Sequence, residues 1–268
     1  MTITEHAHID LPGGVELEAV LQGDPAGCPL VFLHGVTDSW RSFEPVLRQL
    51  PASIRTIALS QRGHGDSSRP AGGYDPSDFA ADVAAALDRL GVERAVIAGH
   101  SMGSHVAQRF AIDHPDRTAG VVLAGAFYRF ATNTVINEYW DTVVSTLADP
   151  IDRSVAVDFQ ASTLARPVPP AFFDMVVRES LKVPARVWRD AFAGLLKVDH
   201  ADRLGSIAVP TLVIWGERDA FCPRADQDAL LATIPDSRLT VYAGAGHALH
   251  WEEPARYASD VAAFVTSF

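Results

Sequence analysis

Short, mostly apolar runs recur along the chain, and each is bounded by residues that break regular structure. Runs of this length are typical of strands that are buried on both faces of a sheet. Six of them are predicted strands: Leu30–Leu33, Ile54–Leu59, Ala95–Ala98, Gly120–Ala124, Thr211–Trp215 and Leu239–Tyr242. Helical patterns lie between some of these runs: one starts after Pro76 and stops at Gly91, and another runs from about Gly103 to His114. The alternation predicts an α/β domain with a mostly parallel sheet, flanked by helices, that binds ligands at the carboxyl ends of its strands.

Two segments depart from this alternation. Val15 to Leu21 alternates apolar and acidic residues, which predicts an edge strand with one solvent-exposed face near the amino terminus. Residues 127–197 carry apolar residues at helical spacing among several prolines, which predicts a helical insertion longer than an ordinary connection. We therefore expect a core of residues 1–126 and 198–268 with a helical cap of residues 127–197. Because the cap joins two parallel strands, it would emerge beside their carboxyl ends and roof a site there.

The cap segment is rich in aromatic side chains, which either line a pocket or form the ordinary core of the insertion. These residues are Phe130, Tyr139, Trp140, Phe159, Phe172, Phe173, Trp188 and Phe192. Trp40, in the core segment, has two comparable interpretations: it walls the pocket, or it anchors the helix that follows it.

The charge balance excludes several kinds of partner. Thirty-three acidic against 22 basic residues give a formal net charge of −11, which repels nucleic acid and anionic membrane surfaces. A neutral small molecule is the expected partner. The amino-terminal residues lack the pattern of a secretory signal, and no apolar run reaches the roughly 18–20 residues of a membrane span. Cys28 and Cys222 lie far apart, so we expect no disulfide framework and a cytoplasmic location.

One serine stands at the turn between a buried strand and a helix. The pentapeptide Gly99-His100-Ser101-Met102-Gly103 directly follows the third predicted strand. Its glycines leave room for a sharp bend and let the serine side chain project into open space. We therefore predict that Ser101 is a nucleophile. Such a serine needs a general base, an acid that orients the base, and donors for the developing oxyanion.

The predicted acid and base each follow a later strand. Asp219 comes shortly after the fifth predicted strand, and His247 follows the last one. With Ser101 they occur in the chain order nucleophile, acid, base. In this scheme His247 takes the proton from Ser101, and Asp219 holds the tautomer of the imidazole. Glu217 is the competing acid and His250 the competing base.

Two backbone N–H groups are predicted to bind the oxyanion. One belongs to Met102, the residue after the nucleophile, and the other to Val36, in the loop after the first predicted strand. Gly35 allows a close backbone approach there. His100 and His34 are expected to pack and to shape their loops. No cluster of His, Asp and Glu has zinc spacing, so no metal site is predicted.

These motifs resemble those of the α/β-hydrolase superfamily, in the expected order and over nearly the whole chain. They are His34-Gly35, Arg62-Gly63-His64-Gly65-Asp66-Ser67, Gly99-His100-Ser101-Met102-Gly103, Gly216-Glu217-Arg218-Asp219 and Gly246-His247. The resemblance implies an eight-stranded sheet with a helical cap, hydrolysis through an acyl-enzyme, and no cofactor. The chain is similar to the small capped members, which include esterases, lactonases, hydrolases of ring-cleavage products and cofactor-free perhydrolases. One departure is Ser60, where many relatives carry an aspartate.

The sequence therefore predicts a serine hydrolase of a small, fairly apolar carboxylic ester or lactone. The same residues also suit hydrolysis of a carbon–carbon bond in a ring-cleavage product, and formation of a peracid from acetate and peroxide. A hypothesis from another class is a ligand sensor that turns over slowly and signals through its cap. Dehalogenation is disfavoured, because that chemistry needs a carboxylate at position 101.

Overall fold

The structure, a computed structural model, describes residues 4–267 and is built around one eight-stranded sheet. In chain order the strands are β1 (Thr4–Asp10), β2 (Glu16–Gln22), β3 (Cys28–Leu33), β4 (Ile54–Leu59), β5 (Ala95–His100), β6 (Thr118–Ala124), β7 (Thr211–Gly216) and β8 (Ser237–Tyr242). Across the sheet they lie in the order β1-β2-β4-β3-β5-β6-β7-β8. β2 pairs antiparallel with β1 and β4, and the other neighbours pair in parallel. The predicted mostly parallel sheet is confirmed.

Helices cover both faces of this sheet. In chain order they are α1 (Glu44–Leu47), α2 (Pro76–Arg89), α3 (Met102–Asp113), α4 (Thr134–Thr142), α5 (Arg153–Ser162), α6 (Pro170–Lys182), α7 (Ala185–Lys197), α8 (Arg224–Thr233), α9 (Leu249–Glu252) and α10 (Pro254–Val265). Strand residues alternate between the faces: Val31 and Leu33 pack in one core with α2 and α3, and Phe32 packs in a second core with α1 and α10. The sheet is therefore buried on both sides, as its apolar runs require.

Four helices, α4 to α7, lie between β6 and β7, where the sequence predicts the cap. The division into core residues 1–126 and 198–268 and cap residues 127–197 stays a prediction. None of the helices within residues 4–267 combines the length and the hydropathy that crossing a bilayer requires.

The prediction of an edge strand at Val15 to Leu21 is wrong. This segment corresponds to β2, and β1 pairs along its whole length, from Thr4 opposite Gln22 to Asp10 opposite Glu16. β1 lies outside the six runs because Ile9 is its only buried side chain and the strand shows no apolar period. It becomes a strand by pairing with β2, which is a tertiary effect.

The prediction that one face of β2 is exposed to solvent is also wrong, because Glu18 is buried. Its Oε1 accepts a hydrogen bond from the Trp40 indole N–H at 3.0 Å. Its Oε2 accepts from the Ser60 hydroxyl at 2.8 Å and from the Asp66 N–H at 3.0 Å. A buried carboxylate with three donors is satisfied. Ser60 therefore acts as a donor, where an aspartate would supply only acceptors.

Replacing Ser60 with aspartate is expected to lower the free energy of unfolding by about 2–4 kcal/mol at pH 7, because two carboxylates would then face each other in a buried site. Urea denaturation measures the change. The double variant Ser60→Asp with Glu18→Gln is the matched control, and it should recover most of the lost stability. A Ser60→Asp protein as stable as the wild type would contradict this account of the departure at position 60.

Candidate active site

Ser101 occupies the turn between β5 and α3 at the carboxyl edge of the sheet. Its backbone has φ 53° and ψ −118°, a conformation that residues with a side chain rarely adopt. The turn around it is crowded. A Cβ atom on Gly99 would lie 2.0 Å from the Gly103 carbonyl oxygen, and one on Gly103 would lie 2.1 Å from the Leu33 carbonyl oxygen. Glycine at both positions permits this sharp bend, which exposes the Ser101 side chain to a cavity.

Asp219 and His247 meet beyond the ends of β7 and β8. His247 Nδ1 donates a hydrogen bond to Asp219 Oδ2 at 2.8 Å, and both side chains are buried. The other carboxylate oxygen, Oδ1, accepts from the N–H groups of Phe221 and Cys222, each at 2.9 Å. These bonds hold the carboxylate in place. They also favour the tautomer with its proton on Nδ1, which leaves Nε2 free to accept a proton.

Ser101 and His247 line the same cavity, so the fold brings the predicted nucleophile and base to one place. In the described part of the chain, no hydrogen bond joins the Ser101 hydroxyl to the imidazole. Catalytic hydrogen bonds of this kind are often long in an enzyme without substrate and shorten in the complex. The arrangement supports proton transfer from Ser101 to His247 Nε2 when a substrate is bound.

The two predicted oxyanion donors are unpaired. The N–H groups of Val36 and Met102 have no hydrogen-bond acceptor among residues 4–267. Met102 is the first residue of α3, and the first N–H groups of a helix lack acceptors and favour negative charge. The Val36 loop lies against the nucleophile, since a Cβ atom on Gly35 would lie 3.3 Å from Ser101 Cβ. An oxyanion formed at Ser101 therefore has two free donors beside it.

The competing acid and base have other roles. Glu217 Oε2 accepts from the Gly244 N–H at the surface, at 2.9 Å. His250 is fully buried against the rings of Phe43 and His100, and neither of its nitrogens has a partner in the part of the chain that is described. Burial lowers the pKa of His250 to about 3. Without an acid to orient it, this imidazole lacks what a general base needs.

His100 and His34 hold the loops of the site. His100 Nε2 donates to the His247 carbonyl oxygen at 3.0 Å. His34 Nδ1 donates to the Gly35 carbonyl oxygen at 2.7 Å, and its Nε2 accepts from the Gln61 N–H at 2.9 Å. Burial lowers the pKa of both imidazoles well below the ordinary value. Both rings are therefore neutral, which leaves each with one donor and one acceptor nitrogen.

A cavity lies over Ser101. Loops of the core and helices of the cap both line it, and its walls are mainly apolar. The apolar residues with the largest side chains are Phe130, Ile136, Phe159, Phe192, Leu195, Phe221 and Trp251. The cap contributes two polar residues as well, Gln160 and Thr163.

The aromatic residues of the cap divide between the two interpretations. Phe130, Phe159 and Phe192 line the cavity. The other five of the eight are not among its lining residues, and Trp188 is fully buried in the core of the insertion. The Trp40 indole N–H donates to Glu18, and Trp40 is not among the residues that line the cavity.

Sequence reasoning missed two aromatic residues of the cavity, Phe221 and Trp251. Phe221 stands two positions after the acid and Trp251 four positions after the base. An aromatic side chain so close in sequence to Asp219 or His247 was the available signal. Sequence reasoning also missed the polar lining residues Asp38 and Gln160, for which the sequence carries no local signal.

Asp219, Cys222 and His247 form a group that sequence spacing does not predict. Their potential ligand atoms lie within 4.8 Å of one another, which is close enough to hold a metal ion. The Cys222 thiol donates to the Gly125 carbonyl oxygen at 3.1 Å, and burial raises the pKa of this thiol well above its ordinary value. Because a metal binds the thiolate, this donor set fits a proton-transfer site better than a metal centre.

The chain is similar to known proteins over most of its length. A profile of the alpha/beta hydrolase fold matches residues 29–254. A 2-hydroxymuconate semialdehyde hydrolase of Pseudomonas sp. (strain CF600) is 30% identical over 263 residues, which cover 91% of this chain and 89% of that protein. A non-heme haloperoxidase of Rhodococcus erythropolis is 26% identical over 258 residues, which cover 90% of this chain and 93% of that protein.

A solved structure shows the same likeness in three dimensions. The esterase RhEst1 from Rhodococcus sp. ECU1013 superposes with a TM-score of 0.82 at 27% sequence identity, and the match covers 98% of each chain. The family profile spans most of the sequence, from β3 to the start of α10. The chain therefore belongs to the α/β-hydrolase fold family and is a hydrolase of that family.

Proposed function

We propose that this hydrolase cleaves a small, fairly apolar carboxylic ester or lactone through an acyl-enzyme on Ser101. The observation that carries the proposal is the pair of unpaired amides, Val36 and Met102, beside a serine whose cavity also holds the His247–Asp219 pair. Two convergent N–H groups suit the oxyanion that forms when a serine attacks an acyl carbonyl. The likeness to an esterase supports the same chemistry.

The reaction proceeds in two halves. As Ser101 Oγ attacks the carbonyl carbon, His247 Nε2 takes its proton, and the oxyanion accepts hydrogen bonds from Val36 and Met102. Asp219 stabilises the imidazolium through Nδ1. When the tetrahedral intermediate collapses, the C–O bond breaks and the leaving oxygen takes the proton from His247. A water molecule, deprotonated by His247, then attacks the acyl group, and the proton returns to Ser101.

The cavity indicates a neutral substrate. Its walls are mainly apolar, and no lysine or arginine is among the described residues that line it. A carboxylate bound there would lose its hydration without gaining a counter-ion, which is costly. The formal net charge of −11 also repels anions at long range. A neutral ester or lactone avoids both penalties.

The relatives favour two alternatives that use the same residues. The Pseudomonas relative is named for hydrolysis of a semialdehyde that carries a carboxylate, as the muconate in its name states. No lysine or arginine is among the described residues that line the cavity, which argues against such a substrate here. The haloperoxidase relative is the observation that favours peracid formation. That reaction starts from acetate, which is also an anion, so we rank it below ester hydrolysis.

The proposal predicts a trapped acyl-enzyme and a preference for neutral esters. With 4-nitrophenyl butyrate, we expect a burst of 4-nitrophenolate and a butyryl adduct on the peptide that contains Ser101, because acylation of the serine precedes hydrolysis. The value of kcat/KM should be at least about tenfold higher than for the 4-nitrophenyl half-ester of succinic acid, whose carboxylate would be buried without a partner. Intact-protein and peptide mass spectrometry with stopped-flow kinetics measure both quantities.

A panel with a ring-cleavage product, with acetate plus hydrogen peroxide, and with butyrolactone completes the test. Turnover of the ring-cleavage product or of acetate and peroxide above that of every ester would contradict the proposal. Binding of esters with negligible turnover would favour the ligand-sensor hypothesis instead.

A further inference from the structure

The described residues that line the apolar cavity include a carboxyl group, that of Asp38, which the mechanism above does not use. Asp38 follows the Val36 loop, is buried, and lines the cavity that contains Ser101. The residue between them, Thr37, has φ 69°, a left-handed backbone conformation that is costly for a β-branched side chain. The surrounding contacts must hold this strained turn, and the turn presents Asp38 to the cavity.

The contacts of Asp38 distinguish its two oxygen atoms. Oδ1 accepts a hydrogen bond from the Gln160 side-chain N–H at 2.9 Å. The same amide nitrogen also contacts the hydroxyls of Thr37, at 3.3 Å, and Ser180, at 2.7 Å. Oδ2 has no hydrogen-bond partner among residues 4–267. Because the amide occupies Oδ1 as an acceptor, a proton on this carboxyl belongs on Oδ2.

Oδ2 lies close to the nucleophile. A Cβ atom built on Gly35 would be 3.2 Å from Asp38 Oδ2, 3.2 Å from His100 Nδ1 and 3.3 Å from Ser101 Cβ. These three groups therefore surround one small space beside the oxyanion loop. His100 already uses Nε2 as a donor, so its unpaired Nδ1 is an acceptor. Neither of the other two groups, the neutral His100 and Ser101, carries a positive charge that would stabilise an ionised Asp38.

The environment keeps the Asp38 carboxyl neutral at pH 7. Burial raises its pKa to about 8, the Gln160 hydrogen bond opposes this shift, and the Glu179 carboxylate adds to it. Glu179 is itself paired with Lys182 at 3.0 Å and with Arg41 at 3.7 Å, so these cations are partly engaged elsewhere. Asp38 ionises as the pH rises through 8, and below that pH it is a hydrogen-bond donor.

We propose that Asp38, as a neutral carboxylic acid, binds the substrate by donating a hydrogen bond from Oδ2 to an oxygen atom of the acyl group at Ser101. The proposal rests on the ester hydrolase function proposed above. Asp38 is then a third hydrogen-bond donor for the acyl group, beside the amides of Val36 and Met102. Unlike those amides, its carboxyl group can ionise. Once ionised, the same carboxylate repels the oxyanion.

The pH dependence of kcat/KM for 4-nitrophenyl butyrate, between pH 6 and pH 9.5, tests this role in three proteins. The wild type should lose activity as the pH rises through about 8. Asp38→Asn keeps a donor that cannot ionise, so it should stay within about threefold of the wild type at pH 7 and show no alkaline loss. Asp38→Leu has no donor, so it should be about fivefold to tenfold slower at pH 7, again without alkaline loss.

Two controls separate binding from structure. Asp66→Asn removes an exposed carboxylate from a neighbouring loop, where Asp66 pairs with Lys182 at 2.9 Å, and it should keep the wild-type profile. The ¹³C NMR titration of the Asp38 carboxyl needs no turnover, and we expect a midpoint near pH 8 that is missing from the spectrum of Asp38→Asn.

Several outcomes would overturn the proposal. They are an Asp38→Leu variant as active as the wild type, an Asp38→Asn variant as slow as Asp38→Leu, an alkaline loss that persists in Asp38→Asn, and a carboxyl that titrates near pH 4. A wild type that hydrolyses no ester while Asp38 still titrates near pH 8 would instead overturn the ester hydrolase function and keep Asp38 as a neutral donor.

Discussion

Replacing Ser101 with alanine is expected to lower kcat for 4-nitrophenyl butyrate by about 10⁴- to 10⁶-fold. The variant keeps the oxyanion donors and the cavity but has no atom that can form the acyl-enzyme. Residual turnover comes only from water activated in the site. Steady-state kinetics measures the loss, and mass spectrometry should show that the butyryl adduct is gone.

The fold of Ser101→Ala should be intact, because the substitution removes one oxygen atom that makes no hydrogen bond to another described residue. Alanine also keeps the Cβ atom, so the strained φ of 53° is no harder to adopt than before. Ser206→Ala, which alters an exposed serine of the core segment, is the matched control and should retain full activity. A Ser101→Ala enzyme that still forms an acyl adduct at wild-type rate would refute the assignment of the nucleophile.

Replacing His247 with alanine should produce a loss of similar size, about 10⁴-fold or more in kcat. The serine hydroxyl then has no base, and the leaving oxygen has no acid. Because the nucleophile, base and acid act as a unit, the double variant Ser101→Ala with His247→Ala should be hardly slower than either single variant. Kinetics of the three proteins under one set of conditions measures this non-additivity.

His250→Leu is the matched control for His247→Ala. His250 is buried and has no hydrogen-bond partner in the described chain, so an apolar residue of similar volume should keep kcat within about threefold. The free energy of unfolding should change little for the same reason. The opposite pattern, with activity lost in His250→Leu and retained in His247→Ala, would exchange the roles that the geometry gives these two residues.

The order of strands and helices could be predicted from sequence, because burial on both faces imposes a local pattern. The run Ile54–Leu59 matches β4 to the residue, and the segment after Pro76 matches α2 closely. β1 shows no such pattern, since Ile9 is its only buried side chain and its pairing with β2 makes it a strand. The same limit applies to Glu18, whose burial depends on donors from three other segments.

By itself the sequence determined the strand alternation and the order of Ser101, Asp219 and His247. The order of the strands predicts which residues meet, because parallel strands end at one edge of the sheet and the residues that follow them lie together there. Only the tertiary structure decided which side chains surround Ser101. Asp38 and Gln160 are 122 positions apart and lie on a core loop and a cap helix. No period in the chain encodes their contact, because it forms only when the cap packs over the core, and the charge of the cavity depends on that packing.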